Sequence, residues 1–72
     1  MATNTDRDGQ RIDALRVERG LTVLELATQS QIPLTTLQRR LADDGKLTLR
    51  EARRLSLVLG VPLPFLLGEV AA

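Results

Sequence analysis

At 72 residues, 43% of them hydrophobic, the chain is long enough for one domain, with a core near the lower limit of self-sufficiency. It holds no Cys, His, Tyr or Trp, and Phe65 is its one aromatic residue. Disulfides, thiolate or imidazole metal sites, the common general bases and aromatic stacking platforms are therefore excluded. The net charge of +1 is unevenly divided: Arg39 to Arg54 carry six bases against three acids, whereas residues 1–30 carry four bases against five. A local basic footprint of this kind suits a polyanionic partner.

Residues 1–7 read as a disordered lead, polar and without the apolar core of a signal peptide. Asp8 or Gly9 can cap a first helix in which Ile12, Leu15, Arg16 and Arg19 share one side, and Gly20 stops it. Thr22 and Glu25 form a T-x-x-E capping box that starts the second helix, with Leu26, Ala27 and Ser30 on its inner face. Pro33 pushes Ile32 to an extended conformation, so that helix ends before it. The third helix starts at Pro33 or Leu34, turns Leu37 and Leu41 inward, and runs to about Ala42, where Asp43-Asp44-Gly45 breaks it.

Thr48 and Glu51 form a second capping box. The fourth helix then carries Leu49, Ala52, Leu55, Ser56 and Leu59 inward until Gly60 ends it. Leu63 to Leu67 form one terminal turn with Pro64 near its start, and residues 68–72 read as a frayed tail. The apolar stretch Leu57–Leu67 is too short, and too broken by Pro62 and Pro64, to span a bilayer. The expectation is an all-α domain over residues 8–67, without a membrane partner.

Arg16, Gly20-Leu21-Thr22, Leu26-Ala27, Ile32, Thr36-Leu37-Gln38-Arg39-Arg40-Leu41, Thr48-Leu49-x-Glu51 and Leu59-Gly60-Val61-Pro62 stand in one order and at one spacing. That order resembles the lambda-repressor/Cro-type helix-turn-helix domains, in a variant found in actinobacterial and phage regulators. The resemblance covers residues 10–67 and implies a compact five-helix domain whose third helix enters the DNA major groove. It assigns base reading to Leu34, Thr35, Gln38 and Arg39: Gln38 suits adenine, Arg39 guanine, and Leu34 or the Thr35 methyl a thymine methyl. Thr22, Thr36, Arg40 and Lys46 are then the expected phosphate contacts.

Two positions depart from the family pattern. Val23 replaces a glutamine that commonly bonds a phosphate. Leu41 replaces a glutamate that commonly faces the arginine of helix one, so Arg16 is expected to turn to Asp43, Asp44 or solvent.

An exposed apolar cluster of Leu57, Val58, Leu63 and Pro64 is the expected homodimer interface, two copies placing their third helices about 34–36 Å apart on an operator. Arg50, Arg53 and Arg54 either extend the basic footprint or solvate the outside of helix four. Ser30 and Ser56 have no histidine to activate them, and Asp43-Asp44 reads as a solvated turn rather than a metal pair. No enzyme, cofactor or small-molecule ligand is expected. The expected role is a Cro-like repressor of phage or prophage type, acting on double-stranded DNA at the nucleoid in the bacterial cytoplasm. The alternative is an antitoxin or adaptor that covers a partner protein through Leu24, Leu57 and Leu63.

Overall fold

The computed structural model describes residues 8–68 and shows five helices: α1 (Asp8–Glu18), α2 (Val23–Ser30), α3 (Leu34–Leu41), α4 (Leu49–Leu59) and α5 (Leu63–Leu66). Among the described residues there is no strand, and no helix is long and apolar enough to cross a membrane. The core draws Ile12 and Leu15 from α1, Leu26 and Ala27 from α2, Leu37 from α3, Ala52, Leu55 and Leu59 from α4, and Leu66 from α5. Ile32, between α2 and α3, completes it. Ser30 is buried with them, its hydroxyl donating to the Leu26 carbonyl at 2.6 Å.

Local chemistry sets the starts of α2 and α4. The Thr22 hydroxyl accepts from the Glu25 N–H (3.0 Å) while the Glu25 carboxylate accepts from the Thr22 N–H (2.8 Å). Thr48 and Glu51 repeat that reciprocal pair at 3.1 and 3.0 Å. The ends of α1 to α4 share another device, a left-handed residue followed by an N–H that returns to the carbonyl five residues back. The left-handed residues are Gly20, Gln31, Asp43 and Gly60. The returning bonds are Leu21 to Arg16, Ile32 to Ala27, Asp44 to Arg39 and Val61 to Ser56, between 2.8 and 3.1 Å. Gln31 (φ 60°) and Asp43 (φ 59°) hold a conformation that side chains other than glycine's adopt at a cost, and they flank α3.

Several expectations are corrected. Asp8 already lies in the first turn of α1 as a helical residue, and the disordered lead expected over residues 1–7 and the tail expected over residues 69–72 lie outside the described residues. Leu49 is 53% exposed rather than inward, because the first residue of α4 precedes the stripe formed by Ala52, Leu55 and Leu59. Ser56 is half-buried, and its hydroxyl turns to the Arg53 carbonyl. Gly68, expected in the tail, closes the last turn with an N–H to the Phe65 carbonyl.

Candidate nucleic-acid interface

The helix α3 has a single fully buried side chain, Leu37, with Leu41 half-buried beside it. Helical spacing turns Leu34, Thr35, Gln38 and Arg39 to the other side, and all four are exposed. The rows 34/38 and 35/39 therefore form one outward face. Thr36 lies half-buried on its flank. No side chain caps α3, whose first turn follows Pro33, so orphan N–H groups are left for a ligand or solvent.

The cations divide into two sets. Arg11, Arg16, Arg19 and Arg54 each donate to a backbone carbonyl: those of Leu66, Leu21, Leu59 and Gln31, at 3.2, 2.7, 2.7 and 3.2 Å. They neutralise carbonyls at or just beyond helix ends, where the chain has acceptors and no donors. Arg39, Lys46, Arg50 and Arg53 are exposed, and the charged group of none of them makes a hydrogen bond or ion pair among the described residues. The free positive charge thus lies on the outer face of α3, in the loop after it, and on the outer face of α4.

Arg40 departs from its expected exposure. Its Nε donates to Oε1 of Glu51 at 2.9 Å and its Nη1 to the Asp44 carbonyl at 3.3 Å, with both side chains of the ion pair less than a fifth exposed. A guanidinium so engaged ties α3 to α4 and is not a free cation on the surface. Burial works to raise the pKa of Glu51, but the hydrogen bond and charge of Arg40 and the bonds of Thr48 outweigh it, and the carboxyl titrates below the ordinary glutamate range.

Arg16 finds neither Asp43 nor Asp44. Its Nε donates to Asp13 at 2.8 Å, one turn back on the same helix. Asp43 instead accepts from the Gly9 N–H. Both departures from the family pattern have a packing reason, since Val23 and Leu41 lie against the core. Thr22 is exposed, and although its hydroxyl accepts within the capping box, its proton remains available to a phosphate oxygen.

Of the expected dimer residues, Leu57 is 82% exposed and Pro64 is exposed, while Val58 and Leu63 are half-buried against the core. Leu24 is exposed on α2. Sequence reasoning missed the carbonyl-capping roles of Arg11, Arg19 and Arg54. A general signal existed, in that each helix end leaves carbonyls needing donors, but their partners lie 23 to 55 residues away.

The family model described as helix-turn-helix matches residues 12–66. No curated protein matches the chain, and no solved structure does.

Proposed function

The chain belongs to the helix-turn-helix family of DNA-binding domains, and from that premise we propose that it is a small sequence-specific transcriptional repressor of Cro-like, phage or prophage type. The observation that carries the reading is the outer face of α3. Its four exposed side chains offer an amide, a guanidinium, a hydroxyl and two apolar groups at helical spacing, over a buried Leu37. In this reading Gln38 and Arg39 meet base edges bidentately, and Leu34 and Thr35 meet thymine methyls. Lys46, Thr22 and the first-turn N–H groups beside Thr36 hold phosphates and set the register. Arg40 offers a phosphate only the donors it has left, those of Nη2 and the second N–H of Nη1, since its Nε is bonded to Glu51 and its Nη1 also donates to the Asp44 carbonyl.

A domain this small reads few bases, and two copies on an operator double the contact. Leu57 is the proposed centre of the two-fold contact, with Pro64 at its margin and Val58 and Leu63 supporting from beneath. Selection of bound sequences from a random duplex pool, at two salt concentrations, tests the proposal. Enrichment of two related half-sites with centres about 34–36 Å apart is the expected outcome. Retention of the pool without enrichment would remove sequence reading, and failure to retain any duplex would remove DNA as the partner.

A further inference from the structure

We infer that α4 acts as a two-point clamp on α3, with Glu51 and Arg54 as positioning residues for base reading; the inference rests on the DNA-binding reading above. The two residues stand at i and i+3, on one flank of α4. Glu51 holds the C-terminal half of α3 through the Arg40 guanidinium at 2.9 Å. Arg54 donates to the Gln31 carbonyl at 3.2 Å, three residues before the first residue of α3. One clamp point therefore lies at each end of an eight-residue helix.

That helix needs such a clamp. Its one fully buried side chain, Leu37, is an apolar pivot, and apolar packing fixes depth better than rotation or tilt. Hydrogen bonds to charged groups are directional and fix both. At the leading end the need is greater still, because Gln31 holds φ 60° without being glycine and its carbonyl points to a donor on another helix. At the trailing end one oxygen of Glu51 accepts from the Thr48 N–H as well as from Arg40, so the start of α4 and the hold on α3 are set by the same atom. The Asp43 bond to Gly9 ties that end to α1 also, whereas the turn before α3 is held by the buried Ile32, which is apolar, and by the directional bond from Arg54.

The test uses the whole chain as wild type, Arg54→Ala, Arg54→Lys and Glu51→Gln, with two readouts. The first is binding to the selected duplex and to a scrambled one across a salt series. Arg54→Ala and Glu51→Gln should each lower the ratio of the two affinities by about tenfold, the worth of one hydrogen bond to a charged group, without changing the salt slope. Arg54→Lys should restore most of that ratio, since an ammonium can donate to the same carbonyl. The second readout is amide hydrogen exchange, which should accelerate in α3 of Arg54→Ala more than in α1. Equal loss on both duplexes with a shallower salt slope would make Arg54 a phosphate ligand and overturn the clamp. Uniform acceleration in every helix, or no change in either readout, would overturn it too. Should the wild type bind no duplex, the DNA reading falls and α3-selective exchange alone decides the clamp.

Discussion

The Gly9 N–H donates to Oδ1 of Asp43 at 2.8 Å, so a residue leaving α3 caps the first turn of α1 from 34 positions away. The approach is close enough to exclude any side chain at position 9. A Cβ there would overlap the Arg40 carbonyl oxygen and stand 2.7 Å from that of Leu41 and 2.9 Å from Asp43 Oδ1. The positive end of α1 thus meets carbonyls at the negative end of α3, which favours the contact electrostatically.

Gly9→Ala should therefore reverse the usual sign of a glycine-to-alanine change in a helix. Propensity alone would favour alanine by about 1 kcal/mol. The clash with two backbone carbonyls should instead cost about 1–3 kcal/mol or more, as overpacking does. Denaturant unfolding measures it, and a variant as stable as wild type would show that α1 can move off α3 without loss.

Asp43→Ala should cost about 0.5–2 kcal/mol, the usual worth of a side-chain cap. Asp43→Asn should cost less, because asparagine keeps an acceptor and tolerates the left-handed backbone held there at φ 59°. Equal losses for the two variants would show that the carboxylate charge, rather than the acceptor geometry, matters at this junction.

The Glu51 carboxyl titrates below the ordinary glutamate range, chiefly because the bonds from Arg40 and Thr48 outweigh its burial. A folded-state pKa below the unfolded one gives stability that is fully present above the unfolded value, about 4.3, and is lost as pH falls through the folded one. Thermal melts from neutral pH to about pH 3 should show acid destabilisation that is smaller in Glu51→Gln, which cannot titrate. Parallel curves for the two proteins would mean that other carboxyls control the acid limb.

Within α3, Gln38→Ala should lose about 1–3 kcal/mol on a selected site and little on scrambled DNA. Lys46→Ala should weaken both and make the salt slope shallower by about one unit. Arg40→Ala behaves differently: with its ion pair to Glu51 lost, unfolding stability should fall by about 1–3 kcal/mol before any DNA is added. Gln38→Ala should leave stability nearly unchanged, since that side chain is exposed. If Gln38→Ala lowers both affinities equally, Gln38 contacts phosphate and the reading face is misassigned.

Leu57 and Leu63 should separate assembly from folding. Leu57→Glu, at a position 82% exposed, should halve the protein mass bound per duplex in sedimentation while leaving helicity intact. Leu63→Glu should lower the melting temperature, because Leu63 packs against the core. Unchanged mass for Leu57→Glu would remove the proposed two-fold contact.

The sequence by itself determined whatever is decided within about one helical turn. Thr22 with Glu25 and Thr48 with Glu51 start their helices through bonds between residues three apart, and Gly20 and Gly60 stop theirs because only glycine turns left at no cost. Helical period alone separates Leu37 from Gln38 and so defines the outward face of α3. Tertiary structure decided which cations are free. Arg40, Arg54, Arg19 and Arg11 look no different in sequence from Arg39, Arg50 or Arg53, yet their partners are a carboxylate or carbonyl 11 to 55 residues away. Gln31 and Asp43 carry no glycine signal, and each sits in a left-handed turn held by neighbours from another helix. A guanidinium reaches far and bonds whatever carbonyl the fold leaves unsatisfied, and only the packed arrangement of helices settles which carbonyl that is.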